Sequence, residues 1–190
     1  MTRKNKLIIA FAAMFCAVVL FVTFVIWITG TIYMRDYSKT TVLFNPDDFK
    51  IPEQLQDVKS IRVVHFYDPK CPCNEEPDSH LRYLVGLHST SNMKFYRVQK
   101  PGSTGEIAPF LRDVLQPITK VEGMELLPAS PSLVIWDADG DLAYAGPYSE
   151  GVTCNSSNSF VEPVLEALAD GRKVTVPGTI AVGCYCDWNN

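Results

Sequence analysis

The chain has 190 residues, 47% of them hydrophobic, and 17 basic against 21 acidic side chains give it a net charge of −4. That size and composition suit one globular core, and no low-complexity tract follows the apolar start. No basic cluster or Arg-rich stripe is present, which argues against a nucleic-acid partner.

Leu7 to Thr29 is a run of 23 residues without a charge. At 1.5 Å per residue it is long enough to cross a hydrocarbon core of about 30 Å. Arg3, Lys4 and Lys6 precede it with no acid, and Arg35, Asp36 and Lys39 follow it with mixed signs. The positive-inside rule then predicts a cytoplasmic N-terminus and an outward-facing remainder. A cleaved signal peptide is the rival, but its apolar stretch is shorter and ends at small residues. This run leaves through Trp27-Ile28-Thr29-Gly30-Thr31 with no Ala-x-Ala. An uncleaved anchor in the bilayer is therefore expected, with Cys16 an inert thiol in lipid. Ala13-Met14-Phe15 before it does not make a lipoprotein site.

Tyr37 to Leu55 is polar and mixed and reads as a stalk with a short lead-in. Ile61 to Tyr67 is β-branched and apolar, the pattern of a buried strand. Cys71-Pro72-Cys73 follows at once. Two thiols so close enclose almost no loop, so their pairing would stabilise little and its value would be chemical. Each cysteine pairing elsewhere is the alternative. From Cys73 or Asn74 to His88 the spacing of Leu81, Leu84, Val85 and His88 predicts a helix. Glu75, Glu76 and Asp78 suit its first turn. A cysteine opening a helix faces unpaired N–H groups that favour its thiolate, and Lys70 adds positive charge.

Met93 to Val98 is expected as a second strand and Glu106 to Leu115 as a helix presenting Ile107, Phe110, Leu111 and Val114. Leu133 to Trp136 and Leu142 to Ala145 form a hairpin around Asp137-Ala138-Asp139-Gly140-Asp141. That turn resembles a calcium loop but has no bidentate Glu at the required distance. Ser159 to Ala169 is a last helix, and Val174 to Val176 a candidate edge strand. No Gly-rich phosphate loop is present, and no cofactor is expected. Asn155-Ser156-Ser157 meets the glycosylation pattern, of consequence only in a eukaryotic host.

Five cysteines lie beyond the apolar run: Cys71, Cys73, Cys154, Cys184 and Cys186. An oxidising compartment would let disulfides form among them, and an odd number leaves one thiol unpaired in a monomer. Three arrangements of the tail compete. It could fold back as a redox relay to Cys71, or be bridged to Cys154. The thiols, with His80 or His88, could instead take a soft metal such as Cu(I). No spaced Cys/His signature supports a metal, and none is assigned. His80 and His88 are too far apart for joint ligation and are expected solvated or half-buried. The expectation adopted is that one tail cysteine bridges Cys154 and the other stays free or labile.

The order β-α-β-α-β-β-α, with a cysteine pair opening the first helix, resembles the thioredoxin fold over roughly Val58 to Gly171. The residues that carry the likeness are Val64 to Cys73 and Ser130-Pro131-Ser132-Leu133-Val134-Ile135-Trp136 with its Asp-Gly hairpin. The anchor, the Cys-Pro-Cys and the tail Gly183-Cys184-Tyr185-Cys186-Asp187-Trp188 together look like a little-characterised bacterial family of membrane-tethered thioredoxin-like proteins. The resemblance implies an α/β three-layer sandwich with a mixed sheet. It divides the chain into 1–6 (cytoplasmic), 7–29 (transmembrane), 30–57 (stalk and lead-in), 58–171 (thioredoxin-like) and 172–190 (tail). Cys71 would be the nucleophile, Cys73 the resolving thiol and Pro131 a cis-proline facing Cys71. Ser130 and Pro72 would contact substrate. His65 stands where the family has a buried acid that relays protons, and strand alternation puts it on one face with Tyr67. One residue rather than two separates the cysteines, which departs from the family's spacing and would favour oxidase or isomerase chemistry. The function expected is a thiol–disulfide oxidoreductase in a bacterial inner membrane, its domain in the periplasm. Its partners would be protein thiols or disulfides and a membrane redox protein. A copper-handling assembly protein and a non-catalytic interaction domain are the alternatives.

Overall fold

A computed structural model describes residues 3–39, 43–56, 59–89, 91–176 and 178–189. Val58, the expected start of the domain, lies outside them. Helix α1 (Arg3–Tyr33) includes a stretch, Arg3–Ile28, long and apolar enough to cross a membrane. Leu7, Phe15, Leu20 and Phe21 on it are exposed, with no protein surface packed over them. Strand β1 (Arg35–Asp36) follows directly.

The domain is built on β2 (Ile61–Tyr67), every residue of which is buried. It lies between β3 (Met93–Gln99), parallel to it, and β6 (Ser132–Trp136), antiparallel. The short β4 (Gln116–Pro117) continues the sheet beyond β3, and β7 (Leu142–Gly146) continues it beyond β6. A central strand covered on both faces reads as an unbroken apolar run, which is why Ile61 to Tyr67 is recognisable. Alternation divides it: Ile61, Val63 and Tyr67 enter one core, Val64 and Phe66 the other. The β6–β7 turn is held by Asp137, whose Oδ1 accepts the N–H groups of Asp139, Gly140 and Asp141. Gly140 takes a φ of +102°, a conformation that favours glycine.

Among the described residues, α-helices cover one face only. There α2 (Glu75–Leu87), the single turn α3 (Pro109–Arg112) and α4 (Glu162–Ala169) contribute Leu81, Leu84, Leu111, Val164, Leu165 and Leu168. The expected helix from Glu106 shrinks to α3. Pro109 sits at its start, and Phe110 and Val114 of the expected apolar face are exposed. Proline has no N–H to continue a helix on its N-terminal side. Helix α4 starts three residues later than Ser159, whose Oγ instead accepts the N–H groups of Val161 and Glu162. Of the candidate edge strand, Val176 makes a single parallel bridge to Tyr144.

The other face is covered by loops and short 3-10 turns. Phe44, Phe49 and Leu55 come from the stretch read as stalk and lead-in, Ile118, Val121 and Leu127 from the loop after β4, and Trp188 from the tail. Tyr37, also from that stretch, is buried with Ala129, Ala181 and Tyr185. The tail forms two more strands. β8 (Val182–Gly183) pairs with β1, and β9 (Cys186–Asp187) pairs with β5 (Ala129–Ser130).

Candidate functional site

Cys71 caps a short 3-10 turn, Pro72–Asn74, that runs directly into α2. Its sulfur and that of Cys73 are buried, while Pro72 between them is exposed. The Ser130–Pro131 peptide is cis, and the Ser130 carbonyl oxygen lies 3.9 Å from Cys71 Sγ. These residues converge because β2 and β6 are neighbours, so the end of one and the beginning of the other meet beside the N-terminus of α2.

The disulfides depart from the sequence reading. Cys71 is bonded to Cys186 and Cys73 to Cys184, with Cα–Cα separations of 5.9 and 5.3 Å. Cys71 and Cys73 are therefore not bonded to each other. The bridge to Cys154 does not form either: Cys154 is a free, buried thiol. Two antiparallel Cys-x-Cys segments face each other rung for rung, which satisfies all four thiols and leaves Cys154 in the core among Tyr144, Tyr148 and Val161. Burial pushes the Cys154 thiol up to about 11, against a Ser149 hydrogen bond that acts the other way. It is shaped as an inert thiol.

Position and bonding of the tail coincide. Ser130 pairs in register with Cys186, and Ala129 with Asp187. The tail thus lies as an added strand beside the cis-proline, with its sulfur joined to the cysteine at the helix start. Lys100 Nζ donates to the Asp187 carbonyl, Trp188 N–H to Pro128 and the Asn189 amide to Glu125 and Leu127. Tyr185, between the two tail cysteines, is buried and donates to the Ser149 carbonyl at 2.6 Å. Gly183 passes so close to Gly151 that a Cβ there would stand 2.3 Å from its carbonyl oxygen.

His65 lies on the face expected, its ring stacked on Tyr67 at 5.4 Å between centroids. Its Nδ1 is 2.8 Å from the Tyr148 hydroxyl, and its Nε2 is 3.4 Å from Asp78 Oδ1. All three side chains are buried. Tyr148 also lines a small crevice with Cys73, Pro131, Cys184 and Tyr185. Tyr148, bonded to His65, therefore borders the second disulfide. Sequence reading missed Asp78 and Tyr148. Asp78 is masked by the acidic first turn of α2, and Tyr148 is 83 residues from His65. His80 and His88, expected solvated or half-buried, are both buried because α2 turns them toward α4. His80 Nε2 meets Ser159 Oγ at 3.0 Å.

Residues 40–188 match the family described as a domain of unknown function, DUF6436. The chain belongs to this family. No curated protein matches it. Its fold is similar to that of an uncharacterized conserved protein from Geobacillus kaustophilus. The identity is 18% and the TM-score 0.56, covering 82% of this chain and 96% of that one. It is likewise similar to a hypothetical protein from Sinorhizobium meliloti 1021, at 14% identity and TM-score 0.55, covering 81% and 97%. A putative thiol:disulfide interchange protein DsbE from Chlorobium tepidum also matches, at 14% identity and TM-score 0.47, over 70% of this chain and 99% of that one. The fold is thioredoxin-like: a mixed sheet, a cysteine at the start of the first domain helix and a cis-proline opposite it.

Proposed function

We propose that the protein is a membrane-anchored thiol–disulfide oxidoreductase whose Cys-Pro-Cys exchanges with its own Cys-Tyr-Cys tail and with external protein thiols. The observation that carries this reading is Cys186, disulfide-bonded to Cys71 while paired through its backbone with Ser130 beside cis-Pro131. A partner chain would engage the same edge as an added strand. The second disulfide supports the same reading. A bridge across 115 residues restrains the unfolded chain by about 5 kcal/mol on the chain-entropy estimate. With it in place, the second encloses only a small ring and adds less than half as much, about 2 kcal/mol. Its larger contribution is a second redox couple.

In the reducing direction the Cys71 thiolate attacks a partner disulfide, and one partner sulfur leaves and takes a proton. Cys186 then attacks the Cys71 sulfur, re-forming Cys71–Cys186 and expelling the second partner thiol. The partner gains two electrons and two protons, and the chain loses as many; the reverse sequence oxidises a partner dithiol. Cys71 is suited to be both nucleophile and leaving group because its thiolate faces the positive end of α2. Cys73–Cys184 would be renewed by the same exchange, with Tyr148 and His65 positioned to carry its proton. The apolar helix α1, with Arg3, Lys4 and Lys6 before it, supports a single-pass anchor with a cytoplasmic N-terminus. Two disulfides support an oxidising compartment such as a bacterial periplasm.

Alkylation trapping of the full chain in its own membrane, followed by mass spectrometry, tests the reading. Cys186→Ala is expected to accumulate a mixed disulfide between Cys71 and a partner, and adding Cys71→Ala abolishes it. Accumulation in Cys73→Ala instead would return the resolving role to Cys73 and leave the tail a staple. No mixed disulfide in any variant, with no turnover of insulin or glutathione disulfides, sinks the reading.

A further inference from the structure

The sulfur atoms of Cys71, Cys73 and Cys186 all lie within 4.8 Å of one another. Cys71 and Cys73 are buried and Cys186 is half-buried, and no carboxylate or imidazole belongs to the group. Cys184 stands outside it. Reduction of the two disulfides would leave three thiols around one point, provided that the tail stays in place. The contacts that hold it do not depend on sulfur. Tyr185 and Trp188 are buried, and Trp188 packs edge-on against Phe66 at 5.7 Å. The Tyr185 hydroxyl, the Trp188 N–H and the Asn189 amide all bond to backbone carbonyls of the domain.

We propose that the reduced protein binds one Cu(I) through the thiolates of Cys71, Cys73 and Cys186. Soft, polarisable sulfur in a water-poor setting selects soft ions, and a site of three sulfurs suits Cu(I) better than Zn(II), whose structural sites take four ligands. The N-terminus of α2 offsets part of the negative charge that three thiolates bring. Each disulfide takes up two electrons and two protons on reduction. Binding then releases protons from the three thiols to the buffer and transfers no electron. The site differs from a redox exchange centre in needing only the resting geometry of the reduced tail, so it does not rest on turnover.

The test uses the full chain in detergent, reduced anaerobically with a phosphine, which becomes its oxide as each disulfide opens. Cu(I) is supplied as its complex with a coloured chelator, and loss of the chelator colour is followed. Reduced protein is expected to withdraw one Cu(I) per chain and oxidised protein none. Replacing Cys71, Cys73 or Cys186 singly by Ser should weaken binding by about a hundredfold or more, whereas Cys184→Ser changes it by less than about tenfold. All variants are compared in the reduced state, so loss of a covalent bridge does not distinguish them. Circular dichroism confirms that each is folded. X-ray absorption at copper should show three sulfur neighbours. Reduced wild-type protein that leaves the chelator complex intact overturns the proposal, as does a Cys184→Ser variant as damaged as the other three. Failure of disulfide exchange with Cu(I) binding intact would remove the oxidoreductase reading alone.

Discussion

At the scale of residues the site joins two buried systems, the four sulfurs and the His65–Tyr148–Asp78 group. Tyr148→Phe removes the hydroxyl facing His65 Nδ1 and leaves a buried ring nitrogen without its partner. It should cost about 1–3 kcal/mol, read as a lowered melting temperature. If the proton path to Cys73–Cys184 runs through this pair, the pH profile of that bridge's reduction shifts in the same variant while that of Cys71–Cys186 does not. Cys154 should behave as a core residue: with its thiol raised to about 11, iodoacetamide leaves it unmodified near neutral pH until the domain unfolds. Labelling of Cys154 in the folded, oxidised protein at the rate of a free thiol would contradict its burial. The Cys71 carbonyl, Lys70 and Asp68 sit in the tight turn after β2. There Asp68 Oδ1 accepts the Lys70 N–H, and its backbone oxygen accepts the Asn74 amide and the Cys71 N–H. These bonds hold the Cys71 backbone independently of the tail.

Elements account for how the tail is seated and for the domain's response to acid. Gly183 touches Gly151 backbone to backbone, so Gly183→Ala must push β8 away from its place. A destabilisation of about 1–3 kcal/mol is expected, with faster reduction of Cys73–Cys184 by a small dithiol as the specific readout. Unchanged reduction kinetics would show that β8 does not position the bridge. Between α2 and α4 the buried His80 is held below its ordinary value of 6.5, by burial first and against the nearby Glu162 carboxylate. His88 is lowered for the same reason, with Glu166 and Glu162 opposing. A depressed folded value means that the neutral ring stabilises the fold. That contribution is complete above 6.5 and is lost as pH falls through the lower folded values. Thermal midpoints of the oxidised chain should therefore fall between about pH 7.5 and about pH 5.5, and His80→Gln should flatten the fall. A midpoint that rises on acidification would reverse the sign argued here.

For the whole molecule, the segment that leaves α1 meets the C-terminal tail beside the site. Strand β1, directly after α1, pairs with β8 of the tail, and Tyr37 packs edge-on against Tyr185 while bonding Ser132. The connection from the proposed anchor and the cysteine-bearing tail thus share one small core. On the sheet face away from the α-helices, Trp188 packs edge-on against Phe66 as part of the covering layer. Trp188→Ala should cost about 3–5 kcal/mol, measured by chemical unfolding with the disulfides intact. The loss should be larger once they are reduced, because the truncated tail then has neither anchor nor staple. Equal losses in both states would mean that Trp188 belongs to the domain core and contributes nothing to tail docking.

Local chemistry made much of this protein readable before its structure. The charge-free run to Thr29, the apolar strand Ile61 to Tyr67, the cysteine opening α2 and the Asp-Gly hairpin each depend on neighbours within a few residues, where periodicity and turn preference act, while the cis Pro131 followed from the likeness to the thioredoxin fold. The partners of the cysteines do not. Cys71 and Cys186 are 115 residues apart, and nothing in local spacing separates the pairing seen from one through Cys154 or within Cys-Pro-Cys. Nor does it reveal that residues 44–55, polar in pattern, supply Phe44, Phe49 and Leu55 to a core, or that Asp78 turns inward to His65. Those outcomes were decided by the sheet. Once β2 lies between β3 and β6, its second face needs apolar cover that no α-helix supplies, and the lead-in, the loop after β4 and the tail provide it. Laying the tail across that edge brings Cys186 onto Ser130, and the disulfide pattern follows from that register.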